Sequence, residues 1–313
     1  MESLFIPLAL AAGSLLTVQA GANAQLSQAA GSPLTATTIQ LSVGAIVLLL
    51  VAAITGSLDT LAALPTARWW HAAGGVASAF YVASSILLFP RLGAVVSVGL
   101  FIAGQMIASL LLDTFGLLGV RTTGIHAGDM AGVTVVLGGA ALIVAGQQGG
   151  VAGSGYFRVG WIVLALLAGA VLPVQGAVNA LLRVDLGGAS FAVGSVSFIV
   201  ATLAMAVVVA ATAAWAKLPP LRLEKLQRMP WWGWLGGLAG ASYVTAVFLA
   251  IPAIGAAAAV GLTVAGQQVA SVFVDKFGWF RLQQRPVSRR RLAGVVLLLS
   301  GSALVALTQG GIS

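Results

Sequence analysis

The segment from Trp69 to Gly116 is repeated 162 positions later, from Trp231 to Gly278, with about half of the paired positions identical. Residues 79–94 read A-F-Y-V-A-S-S-I-L-L-F-P-R-L-G-A; residues 241–256 read A-S-Y-V-T-A-V-F-L-A-I-P-A-I-G-A. The next blocks agree more closely: V-G-L-F-I-A-G-Q-M-I-A-S-L-L-L-D-T-F-G from Val98 and V-G-L-T-V-A-G-Q-Q-V-A-S-V-F-V-D-K-F-G from Val260. A third echo pairs V-Q-A-G-A-N-A-Q-L at Val18–Leu26 with V-Q-G-A-V-N-A-L-L at Val174–Leu182. One multi-element unit is therefore used twice, and the copies have to bury matching faces.

Apolar residues make up 59% of the chain and charged residues 7%, against about 25% charged in a soluble domain. So few charges cannot cover a water-facing surface, which makes this a polytopic membrane protein. There is no cysteine, so disulfides and thiolate metal sites are excluded. The two histidines, His71 and His126, offer little for a metal centre, and no cofactor is expected. The net charge of +8 does not indicate nucleic acid, because the basic residues sit in short loops between apolar spans. The first 25 residues resemble a signal peptide, with Ala22-Asn23-Ala24 before Gln25. The leading region carries Glu2 and no Lys or Arg, and the segment recurs mid-chain, so it is read as a retained helix.

A spanning helix needs about 20 mostly apolar residues. Ten segments qualify: 3–26, 34–55, 71–89, 93–114, 129–147, 159–182, 188–214, 231–251, 255–275 and 292–309. The apolar runs are continuous rather than alternating, which excludes a pore-forming barrel. Pro90 and Gly93 split one long run into a tight hairpin, as Pro252 and Gly255 split its twin, with each proline suited to a first helical turn. The expected fold is all-α, with ten transmembrane helices in two five-helix units, residues 1–150 and 151–313, joined by a linker at Gln147–Gly155. Because five is odd, the second copy enters the membrane from the opposite side, which makes the repeat inverted. With this threading, twelve basic residues (Arg91, Arg158, Lys217, Arg222, Lys225, Arg228, Lys276, Arg281, Arg285, Arg289, Arg290, Arg291) share one side. Only Arg68, Arg121 and Arg183 share the other. The positive-inside rule puts the first group in the cytoplasm and both termini outside.

Polar residues inside a membrane are costly unless they pair or meet water. Gln19 and Asn23, four apart on one helix face, recur as Gln175 and Asn179. Gln105, Ser109 and Asp113 form a stripe on the fourth span that recurs as Gln267, Ser271 and Asp275 on the ninth, and Tyr81 recurs as Tyr243. Amides and tyrosines offer donors, acceptors and an aromatic wall, which suits a cavity for a small polar or aromatic solute. The plainer reading is that the amides join helices to one another. Asp113 and Asp275 lie near helix C-termini, where a negative charge opposes the macrodipole. They call either for a salt bridge, for example to loop Arg121, or for a role in proton or cation coupling.

Gly233, Gly236, Gly237, Gly240, Gly74 and Gly75 read as close-packing positions. Trp69, Trp70, Trp231, Trp232 and Trp234 read as an aromatic belt, with His71 interfacial and His126 in a loop. There is no G-x-x-x-x-G-K-[ST] phosphate loop, no clustered acid–base set and no arginine ladder, so an ATPase, a membrane enzyme and a voltage sensor are not indicated.

The paired Q-x-x-x-N motifs and the two blocks carrying Y-V, P-x-x-G-A, A-G-Q, A-S and D-x-F-G resemble the drug/metabolite transporter superfamily, and within it the YdcZ-like branch of bacterial inner-membrane exporters. The resemblance covers nearly the whole chain. It implies two inverted five-helix repeats and alternating access to a central cavity. Gly104-Gln105 and Asp113 stand where larger exporters of the superfamily often carry a proline and a glutamate. Gln19 and Asn23 occupy the helix where the small multidrug branch carries its glutamate, so cation export through that residue is not implied. The expected function is secondary transport of a small metabolite across the bacterial inner membrane, with solute and lipid as partners. A lipid flippase using Arg281, Arg285 and Arg289 as a head-group site is the alternative.

Overall fold

The computed structural model describes residues 4–119, 126–146, 155–215, 219, 221, 223–254 and 256–310. Among them every regular element is helical: α1 (Phe5–Ala30), α2 (Pro33–Ile54), α3 (Gly74–Leu92), α4 (Ala94–Phe115), α5 (Ala127–Ala145), α6 (Gly155–Asp185), α7 (Ser190–Trp215), a short α8 (Leu223–Gln227), α9 (Leu235–Ile254), α10 (Ala256–Phe277) and α11 (Arg289–Gly310), with short 3-10 turns between some of them. The protein is an all-α polytopic membrane protein. Eight helices (α1 to α7, and α11) are long and apolar enough among the described residues to cross a membrane. The expected linker at Gln147–Gly155 lies outside the described residues up to position 154, while Gly155 already opens α6.

Helix boundaries follow local chemistry. Pro33 opens α2 behind Ser32, whose hydroxyl accepts from the Thr35 amide. The α3–α4 hairpin turns at Gly93, which holds φ +84° and ψ 163°, a conformation closed to other residues. Pro90 does not open a helix as expected. It sits inside the last turn of α3, where its missing N–H costs one hydrogen bond near a helix end. His71 is buried and paired through Nδ1 with Asp185 at the end of α6.

The two halves pack reciprocally. α1 lies against α9 and α10, α6 lies against α3 and α4, and the remaining partners are α2 with α7 and α5 with α11. Small residues let these backbones meet, since in lipid it is close contact rather than hydrophobicity that joins helices. Gly13 meets the Thr263 backbone and Gly266 that of Leu10; their counterparts Gly169 and Gly104 meet Phe101 and Leu166. α5 and α11 run antiparallel, with Gly132 facing Gly301 and Gly139 facing Gly294. The start of α4 meets the end of α10 at Asp275, so these sequence-equivalent helices also run oppositely.

One end of the bundle gathers the α3–α4 turn, the ends of α5 and α10 and the start of α11, and with them Arg91, Arg285 and Arg289–Arg291. At the other end the starts of α3 and α5 meet the ends of α6 and α11, through His71–Asp185 and Asp129–Thr308.

Candidate functional site

Between the halves, α1, α2, α3, α6, α7 and α9 enclose a cavity of about 50 Å³. Its lining comes in equivalent pairs: Leu16 with Leu172, Gln19 with Gln175, Tyr81 with Tyr243 and Val82 with Val244, completed by Leu41, Phe198, Ser78 and Gly240. None of these residues is charged. The space holds a few waters, well short of the roughly 300–1,000 Å³ of a typical small-molecule pocket. A metabolite fits only if the walls separate.

Four of the twelve residues singled out from sequence thus line one cavity: Gln19, Gln175, Tyr81 and Tyr243. Gln267 stands behind the wall, its Nε2 donating to the Tyr81 hydroxyl at 3.2 Å. The Tyr81 ring is held edge-on by Phe101, with centroids 5.3 Å apart. Gln105, the counterpart of Gln267, leaves its Nε2 buried without a partner. Asn23 and Asn179 lie one turn beyond Gln19 and Gln175 and outside the lining. Asn23 packs on Gly236 and Asn179 on Gly74, where an added side-chain carbon would collide with either amide oxygen. Ser271 is buried and its hydroxyl donates to the Gln268 carbonyl on its own helix at 2.6 Å; Ser109 is half-buried on α4.

Asp275 is buried at the arginine-rich end. Its Oδ1 accepts from the Ala94 amide at 2.7 Å and its Oδ2 from Val95 at 3.2 Å, which caps the start of α4 with a carboxylate. Arg291 donates to the same carboxylate at 2.5 Å. The field opposing Asp275 on its own helix is thus answered by the N-terminus of another helix and by an arginine. Beside it, Arg285 donates to the carbonyls of Pro90, Arg91 and Leu92, the last of α3. Burial lowers the Arg285 pKa from its ordinary value, Asp275 pulls it back up and Arg291 adds to the lowering. Asp113 is half-buried near the end of α4, and Arg121 lies outside the described residues.

Sequence reasoning passed over Gln40, Gln268 and Asp129 and read Arg291 only as a topology signal, yet all four are buried. The signal for the first two was present, an amide inside an apolar span. Neither has an amide counterpart, so a search for repeated residues skips them.

The all-helical bundle thus sets matched, uncharged residues of its two halves around one small cavity. The chain belongs to the family described as "Putative inner membrane exporter, YdcZ", whose pattern matches residues 4–142 and again 160–304. It is 27% identical over 143 residues to inner membrane protein YdcZ of Escherichia coli (strain K12), a match covering 45% of this chain and 95% of that protein. A solved crystal structure shares the fold, with a TM-score of 0.60 at 18% identity, over 100% of this chain and 98% of the other. The family and the apolar helices make this a multi-pass protein of the inner membrane.

Proposed function

We propose that the protein exports a small, uncharged polar or aromatic metabolite by alternating access, as a secondary transporter of ten spans in two inverted repeats. The observation that carries this is the cavity wall, where equivalent residues of both halves face one space of about 50 Å³. The arginine-rich end faces the cytoplasm and both termini face outward. Residues 1–150 and 151–313 are the two repeats, and one helix set drawn from both rocks against the other. Gln19, Gln175, Tyr81 and Tyr243 contact the solute, while Asn23, Asn179, Gln105, Ser109, Gln267 and Ser271 line the routes that open on either side.

Asp275 has both oxygens engaged and Arg291 beside it, which favours a fixed structural charge over a role in proton or cation coupling. The flippase alternative has less support. Arg285, one of its three head-group residues, is directed to helix carbonyls instead.

The test is flux into proteoliposomes holding the purified protein, against a panel of neutral and charged metabolites. Uptake of a neutral solute, lost in Gln19→Ala and Gln175→Ala, is expected. Absence of flux across the panel would sink the proposal, and scrambling of labelled lipid would favour the flippase.

A further inference from the structure

Three amides converge on one glycine strip. Gln19 and Gln40 approach Gly240, the Gln40 carbonyl and Val43 meet Gly237, and Asn23 packs on Gly236. The strip runs from the cavity at Gly240 toward the arginine-rich end, since Gly21 on the same stretch of α1 packs on Phe280 in the α10–α11 connection. Asn23 is 0% exposed and Gln40 1%. Both amide atoms of each are buried without a hydrogen-bond partner. A buried amide left unpaired is costly, and each such group in a native structure needs a physical explanation. At Gly236 the Asn23 oxygen fills the space that a side-chain carbon would take.

The equivalent seam at the other end differs. There Asn179 Nδ2 donates to Ser197 Oγ at 3.4 Å, opposite Gly74 and Gly75. Serine stands where Gln40 stands in the first half, as the neighbouring Leu41 and Phe198 both line the cavity. One seam is partly satisfied while closed; the other leaves four amide atoms unmet.

We propose that Asn23 and Gln40 form a second binding subsite, adjoining the cavity on its arginine-rich side. It takes an uncharged hydrogen-bonding group of the solute, an amide or a hydroxyl, when α9 moves off α1 and α2. Primary amides offer donors and acceptors together. With no charge among Gln19, Asn23, Gln40 and the glycines, an ionic group would enter unpaired, at high cost. The subsite rests on the transport reading above and names the chemistry of its solute.

The chain has no cysteine, so single replacements report on accessibility without background. Gln40→Cys and Asn23→Cys, each checked for a monodisperse folded peak, are treated in native membranes with neutral N-ethylmaleimide and with a cationic methanethiosulfonate. Rates are normalised to exposed Thr55→Cys. Leu48→Cys, on the same helix and 0% exposed, is the apolar control, and Gln19→Cys reports the cavity itself. The expected result is that Gln40→Cys and Asn23→Cys react with the maleimide about tenfold or more faster than Leu48→Cys, as a minor open state allows, and faster than with the cationic reagent. If Gln19→Cys reacts while both others match Leu48→Cys, the subsite is wrong and the cavity stands. If none reacts, the transport reading fails and the subsite with it. Preference for the cationic reagent overturns the assignment to uncharged groups.

Discussion

Asp275 and Arg291 meet at 2.5 Å at the arginine-rich end of the bundle, each only 1% exposed. The carboxylate also caps α4, a helix of the other half. One side chain therefore joins α10, α11 and α4. Neither partner can be removed alone without leaving the other charge buried. Asp275→Asn keeps the shape and discards the charge, stranding the Arg291 guanidinium, a loss of about 3–5 kcal/mol. Thermal unfolding in detergent should show a large drop for Asp275→Asn and for Arg291→Met. The double variant should be much less damaged than the sum of the two, because it strands no charge. Additive losses would mean the pair does not act as a unit.

Arg285 holds the hairpin from the other side, by its three carbonyl contacts at the end of α3. Hydrogen bonds from a charged donor contribute about 1.5–3 kcal/mol, and partial exposure puts this site at the lower end of that range. Arg285→Gln keeps a donor but loses the charge and the fork. Hydrogen exchange at the Ala94 and Val95 amides should speed up in this variant, with little change at the distant His71–Asp185 end. Unchanged exchange at Ala94 would show that Asp275 alone secures the turn.

Much of this fold is legible in the sequence because lipid imposes simple rules on length and polarity. The expected span 34–55 became Pro33–Ile54, and 93–114 became Ala94–Phe115. The duplication also put Gln19, Gln175, Tyr81 and Tyr243 in one group, and they share a cavity wall. What stayed hidden is asymmetric or long-range. Gln40 has a serine as its counterpart, and Arg291 has Asp129, so symmetry gives no hint of either. That Asp275 would cap α4, 181 positions away, follows from the reciprocal packing of the halves and not from any local pattern. Pro90 misled because proline favours a first helical turn, whereas here the chain stays helical past it and turns only at Gly93.

Gly236 and Gly74 occupy equivalent positions, each beneath an asparagine of the opposite half. A methyl group at Gly236 would displace the Asn23 side chain, which has no slack at 0% exposure. Overpacking of this kind costs about 1–3 kcal/mol. Gly236→Ala should lower the thermal midpoint and, by propping the seam, speed maleimide labelling of Gln40→Cys. Gly74→Ala should destabilise comparably without affecting that labelling. Equal effects on labelling from both variants would show that the two seams open together.

Tyr81 and Tyr243 look interchangeable in sequence, yet only Tyr81 accepts a hydrogen bond from its neighbouring glutamine. Tyr81→Phe removes the hydroxyl that Gln267 Nε2 donates to, leaving that donor unmet inside the bundle, at about 1–3 kcal/mol. Tyr243→Phe breaks no such bond, because the Gln105 Nε2 is already without a partner. The closed state should therefore lose more stability from Tyr81→Phe, a difference readable as a lower midpoint in detergent. The inverted repeat adds a further expectation. When the halves exchange conformations, Gln105 should reach Tyr243 as Gln267 leaves Tyr81, so conditions that trap the opposite state should reverse the ranking. A fixed order in both states would mean that these hydrogen bonds do not take part in the cycle.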